Sequence, residues 1–129
     1  MPELRWNKTD FIECFGVLPE TDEYETYVGY TVARRGLLLL ITVRPHESVV
    51  ELRLQREDRS EDIIHFALLV EGTVEFKREK WGDFLRLSRC RVVIDRFYYM
   101  CEGSADEQRQ NQAVDVELAV DPDLRVTFV

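Results

Sequence analysis

Apolar and polar residues alternate with a period of two along much of this chain. Val50, Leu52 and Leu54 alternate with Glu51, Arg53 and Gln55, and Val114, Val116, Leu118 and Val120 alternate with Asp115, Glu117 and Ala119. Leu124, Val126 and Phe128 do the same against Arg125 and Thr127. Successive side chains of a strand point to opposite faces, so this alternation predicts half-buried strands. Tyr24–Ala33 is rich in Tyr, Thr and Val, and Tyr24, Thr26, Val28, Tyr30 and Val32 share one parity. Leu37–Val43 and Ile63–Val70 are apolar at both parities, which predicts strands covered on both faces.

Turn residues separate these runs. Arg34-Arg35-Gly36 reads as a tight turn in which glycine supplies a positive φ. Pro45-His46-Glu47-Ser48 and Asp121-Pro122-Asp123 are further turns, the latter closing a hairpin from Val114–Val120 to Leu124–Phe128. The charged run Gln55–Asp62 predicts a solvated loop, and Glu71-Gly72 predicts a hairpin from Ile63–Val70 back to Thr73–Phe76. Phe11–Leu18 is an apolar series that stops at Pro19, and Arg91–Met100 is aromatic and β-branched, which predicts a strand. Glu102–Gln112 has no apolar period and reads as a loop.

One region follows a different period. Trp81, Phe84, Leu85 and Ser88 fall at i, i+3, i+4 and i+7, with Lys80, Asp83 and Arg86 turned outward. This spacing predicts a short amphipathic helix over Arg78–Ser88, opposed only by Gly82, a poor helix former. Eight or nine strands joined mostly by short turns predict a mainly β, α+β domain. The expected architecture is a single antiparallel meander over residues 1–129, forming a curved sheet, sandwich or partly open barrel with one helix near 78–88.

The chain has 129 residues, enough for one hydrophobic core, and its 45% hydrophobic and 33% charged content is that of a folded domain. No apolar run approaches the ~20 residues of a membrane helix, and Met1-Pro2-Glu3-Leu4-Arg5 lacks the pattern of a secretory signal, so a cytoplasmic protein is expected. The formal net charge of −8 disfavours binding to nucleic acid or anionic membrane and suits a basic partner.

Charge is unevenly distributed. Between Lys77 and Arg96, seven cations (Lys77, Arg78, Lys80, Arg86, Arg89, Arg91 and Arg96) stand against Glu79, Asp83 and Asp95. That is a local +4, which leaves −12 for the remainder of a −8 chain. With Trp81, Tyr98 and Tyr99 beside them, Arg86, Arg89, Arg91 and Arg96 are the candidate residues for holding an anionic ligand or partner. The acidic stretches Glu20–Glu25 and Glu57–Asp62 suit a cationic partner.

Catalytic and metal motifs are absent from the sequence. His46, beside Glu47, reads as a surface turn residue and His65, within Ile63–Val70, as a hydrogen-bonded strand residue, and Cys14, Cys90 and Cys101 form no C-x-x-C pair, so neither a cofactor nor a metal is expected. There is no G-x-S-x-G, P-loop or G-x-G-x-x-G. Three classes of function remain. The foremost is a non-enzymatic interaction module, namely an adaptor, inhibitor or immunity-type protein that masks a basic partner. The second is a β-barrel-like binder of a small anionic ligand in a Tyr- and Arg-lined pocket, and the third is an enzyme with a site of unfamiliar form. The alternating terminal strand also suggests a homodimer through a sheet edge.

Overall fold

A computed structural model describes residues 3–93 and 113–129. One helix, α1 (Lys8–Phe15), precedes nine strands: β1 (Glu20–Thr21), β2 (Val28–Arg34), β3 (Leu37–Arg44), β4 (Val49–Arg56), β5 (Asp62–Val70), β6 (Val74–Glu79), β7 (Gly82–Val93), β8 (Val114–Ala119) and β9 (Arg125–Phe128). All pairings are antiparallel, and the nine strands make one sheet in the order β1-β2-β3-β4-β5-β7-β8-β9, with β6 also paired to β7. The expected mainly β, single-sheet architecture is the one observed. The sheet curls on itself without closing. Phe128 of β9 reaches Phe66 of β5 with ring centroids 5.9 Å apart, and Arg34 at the end of β2 bonds Asp121 beyond β8 at 3.2 Å.

The helix lies at 8–15, and the expected helix over 78–88 is a hairpin. β6 and β7 pair from Val74↔Leu87 to Glu79↔Gly82, and Lys80 and Trp81 form the two-residue tip. Gly82 has φ +139°, and a Cβ there would lie 3.3 Å from the Asp121 carbonyl oxygen, so this position suits glycine alone. The helical spacing of Trp81, Phe84 and Leu85 arises because β7 is covered on both faces at this point. Leu85 enters the core at 0% exposure, and Phe84, on the opposite face, is buried under the stacked Trp81 ring 4.9 Å away. Three apolar residues at i, i+3 and i+4 fit either arrangement.

α1 begins where Asn7 accepts a hydrogen bond from the Thr9 backbone at 2.8 Å and ends at Gly16, in the left-handed conformation. Its buried face carries Phe11, Cys14 and Phe15. Phe11 and Phe15 pack on Tyr30 of β2 at 5.3 and 5.8 Å while the helix also contacts β6 and β7. The helix therefore joins the first and last parts of the curled sheet through an aromatic cluster, whose pairs add to ordinary burial.

β5 and β6 do not form the expected hairpin. Both run antiparallel to the long β7, β5 along its second half (Val70↔Cys90) and β6 along its first (Val74↔Leu87). The chain continues through Glu71–Thr73 instead of turning back. The β7–β8 ladder also shifts register between Leu87 and Cys90, and Arg89 has φ +53°. This is a β-bulge. The Asp115 carboxylate holds it by accepting from the Arg89 backbone N–H at 3.0 Å and from Arg86 at 2.6 Å. Gly72 is required opposite it, because a Cβ would come within 2.3 Å of Ser88 Oγ.

The turn at Arg35-Gly36 is as expected, with φ +51° and +80° as a type I′ turn needs. β2 starts only at Val28, and Tyr24 and Thr26 belong to a loop instead of the strand face. β3 is central, but only Leu39, Ile41 and Val43 are fully buried; Leu38 and Leu40 on its other face are partly exposed. β5 changes along its length, from Ile63 and Ile64 at 52% and 50% exposure to Leu68 at 0%. Leu68 joins the main core, and Ala67 and Leu69 form a second buried cluster with Val49 and Val93 on the opposite face.

Candidate interaction surfaces

The expected basic band along β7 is distributed over the length of that strand. Trp81 sits at the hairpin tip, half exposed, between Phe84 and Arg125, whose guanidinium lies 4.7 Å from its ring. Arg91 is ten positions further along, roughly 33 Å at strand rise. Arg86 bonds Asp115 at 2.6 Å and Glu117 at 3.1 Å across the β7–β8 pair, and Arg91 bonds Glu71. The hydrogen bond to Asp115 raises the Arg86 pKa, while the Arg89 backbone N–H, then Arg86, lower that of Asp115. Arg89 is exposed at the bulge. Arg96, Tyr98, Tyr99 and Cys101 lie outside the described residues.

A cleft of about 320 Å³ opens at another corner of the molecule, lined by Glu3, Trp6, Lys8, Tyr24, Glu25, Val28, Pro45 and His46. Three segments build it. The N-terminal segment is tied down by the Leu4 N–H donating to the Pro45 carbonyl at 2.9 Å. The 3-10 turn Pro45–Glu47 supplies His46, which lies 3.0 Å from Glu3 Oε1. The loop 22–27 is organised by Asp22, whose Oδ1 accepts from the Thr26 backbone at 2.7 Å and whose Oδ2 accepts from the Thr26 hydroxyl. These bonds, the hydroxyl foremost, pull the Asp22 pKa below the usual carboxylate range. Glu25 bonds Lys8, and Tyr24 is 77% exposed.

Charge is concentrated on this part of the chain. Residues 3–25 hold Glu3, Asp10, Glu13, Glu20, Asp22, Glu23 and Glu25 against Arg5 and Lys8. Tyr24 and Glu25 of the cleft wall are exposed, as are Glu23 next to them and Glu20 in β1. The composition of Glu20–Glu25 signalled this surface; the contribution of Glu3, Trp6 and His46 depended on a loop closure invisible in the sequence.

A second concavity, about 290 Å³, is a groove between β9 and the face of β3–β5, lined by Leu39, Leu52, Leu54, Ile64, Phe66, Leu124, Arg125, Val126 and Phe128. Its walls are Leu, Ile, Val and Phe with one Arg, unlike the Tyr- and Arg-lined pocket expected of an anion binder.

The histidines both meet carboxylates. On the outer sheet face His65 Nε2 lies 3.1 Å from Glu51 and Nδ1 3.8 Å from Asp62. Gln55 donates to Asp62 at 2.8 Å and, with Arg53 behind it, lowers the Asp62 pKa. This row crosses β4 and β5 on an open face and lies in neither concavity. Near His46, the Ser48 hydroxyl is buried and donates to the Val70 carbonyl at 2.6 Å, so it is not presented to the imidazole. Cys14 and Cys90 are buried free thiols, each pushed up to about 12 by desolvation, far from the thiolate form a nucleophile needs. Among the described residues no group of three His, Cys, Asp or Glu side chains is placed to hold a metal ion, and no helix is long and apolar enough to cross a membrane.

The fold is therefore an open, curled antiparallel sheet spanned by one helix, carrying an acidic aromatic cleft and an apolar groove. It is similar to a chain in the contact-dependent growth inhibition toxin - immunity protein complex from Klebsiella pneumoniae 342, with a TM-score of 0.67 and 13% identity, over 98% of this chain and 96% of that one. At that identity the likeness is one of fold. No family model and no curated protein matches the chain.

Proposed function

We propose that this protein is a non-enzymatic, immunity-type interaction protein that binds a protein partner and masks a cationic surface on it. The acidic cleft carries the reading. Glu3 and Glu25 line it beside Trp6 and Tyr24, paired with His46 and Lys8, and Glu23 stands exposed in the Tyr24–Glu25 loop, which the Asp22 bonds hold in place before any partner arrives. Aromatic rings and carboxylates together suit Arg and Lys side chains, through stacking and charge-assisted hydrogen bonds. The shared fold with a chain of a toxin–immunity complex supports a role in protein binding. A small anionic ligand is disfavoured because Arg86 and Arg91 are engaged by Asp115, Glu117 and Glu71.

The test begins with the tagged protein purified from its own host. A stoichiometric protein partner is expected, arresting growth when expressed alone and harmless when co-expressed with this chain. Its association rate is expected to fall steeply with added salt. In Glu23→Lys/Glu25→Lys, on-rate and protection should fall together while the melting temperature holds. A partner that is harmless alone, or one whose binding ignores both salt and the charge reversal, overturns the proposal.

A further inference from the structure

β9 ends the sheet path, and among the described residues no backbone partner meets the side of it that faces away from β8. Val129 and Asp115 exchange backbone bonds of 2.7 and 3.3 Å, and Glu117 stands opposite Thr127. In an antiparallel ladder the backbone groups of alternate residues point to opposite sides. The N–H and C=O of Val126 and Phe128 therefore point away from β8, where no strand lies among the described residues. Val126 and Phe128 also line the apolar groove. Four of the molecule's large exposed hydrophobic residues flank it or sit close by in sequence: Phe128 at 51%, Val129 at 62%, Ile63 at 52% and Ile64 at 50%.

A strand added here has to meet three conditions. Its backbone groups must alternate in register with Val126 and Phe128, its inward side chains must be apolar, and no like charge may sit opposite Arg125, the single charge on β9. β9 itself meets all three. Centred on Thr127, two antiparallel copies place Val126 opposite Phe128 of the second copy, with about four inter-strand hydrogen bonds. Arg125 then stands opposite Val129 of the second copy, in the row whose next residue is the acidic Asp115, so unlike charges adjoin across the junction. The added strand would carry the β7-β8-β9 layer over Leu54, Ile64 and Phe66.

We propose that the protein forms a symmetric dimer in which β9 pairs with β9 of a second copy, Thr127 facing Thr127 across the two-fold axis. This surface is separate from the acidic cleft, so dimerisation and partner binding are independent. Across the junction Thr127 occupies a non-hydrogen-bonded pair, with Cα atoms about 4.5 Å apart, within disulfide range.

Sedimentation equilibrium should show a dimer whose fraction falls on dilution, as mass action requires. Val126→Pro removes an N–H that β8 does not use and should leave a folded monomer that still binds the cationic partner. Thr127→Cys should give a disulfide-linked dimer on mild oxidation, and adding Val126→Pro should abolish it. A chain that is monomeric at every concentration, a Val126→Pro variant that folds and still dimerises, or a Thr127→Cys protein that does not cross-link overturns the proposal.

Discussion

The two ends of the sheet path differ in how the backbone groups of their edge strands are treated. At the first edge β1 is only two residues long and carries Glu20, and the loop after it is turned by the Asp22 carboxylate and carries Glu23 and Glu25. Short edge strands and charges repel strand pairing. At the last edge β9 presents four residues with one charge, beside an apolar groove. On the proposals made above, the first edge meets a partner recognised through charge and the second meets another strand. One sheet thus offers two chemically distinct surfaces, and the difference lies in edge length and charge.

The largest expected effect comes from removing the second edge altogether. Deleting Leu124–Val129 strips the cover from Val116 and Leu118, both 0% exposed, and is expected to abolish the cooperative thermal transition. A truncated chain that melts cooperatively at an unchanged temperature would show that β9 is an accessory. Next comes the support of the first edge. Phe11→Ala removes the ring touching Trp6, Phe15 and Tyr30 and should cost about 3–5 kcal/mol by denaturant titration. A loss under ~1 kcal/mol would mean that α1 is not what anchors this edge.

Titration compares the edges more finely. Asp22 near the first edge and Asp115 near the second both have pKa values below the ordinary carboxylate range, as does Asp62. A carboxyl depressed on folding contributes stability above its unfolded value, near 4, and loses it as pH falls through the lower folded value. Stability should therefore decline below about pH 4, less steeply in Asp22→Asn and in Asp115→Asn, with hydrogen exchange locating the loss at the matching edge. Cys14 and Cys90 act in the opposite direction. Their folded values near 12 exceed the unfolded value near 9, so their contribution is complete below pH 9 and fades as pH rises toward 12. Cys90→Ala should flatten that alkaline decline. The smallest effect is expected from Phe128→Ser. The half-exposed ring should contribute no more than about 1 kcal/mol to monomer stability while its loss weakens self-association.

Much of the fold was legible because strand periodicity is a local property. Val50–Leu54 and Val114–Val120 each bury one face and Leu124–Phe128 turns one face to the apolar groove, so their sequences carry the alternation directly, and Arg35-Gly36 carries the φ > 0 signature of its turn. The helix signal was also local, with an Asn7 cap, a Gly16 stop and apolar Phe11 and Phe15 one turn apart, but it was hidden inside what read as an apolar series. Of the candidate sites, the acidic stretch Glu20–Glu25 was visible from composition. The cleft was not, because Trp6, Tyr24 and His46 are brought together by segments far apart in sequence.

The sequence by itself determined the antiparallel β class, the turn positions and the acidity, since each depends on residues a few positions apart. Only the tertiary structure decided that 78–88 is a hairpin, that β5 runs on into β6, and that Arg86 and Arg91 of β7 are engaged by carboxylates of β8 and of the β5–β6 connection. The physical reason is coverage. Where a strand is buried on both faces its apolar pattern loses the period of two, and where a charge meets its counterpart across strands, spacing along the chain cannot show which one it meets.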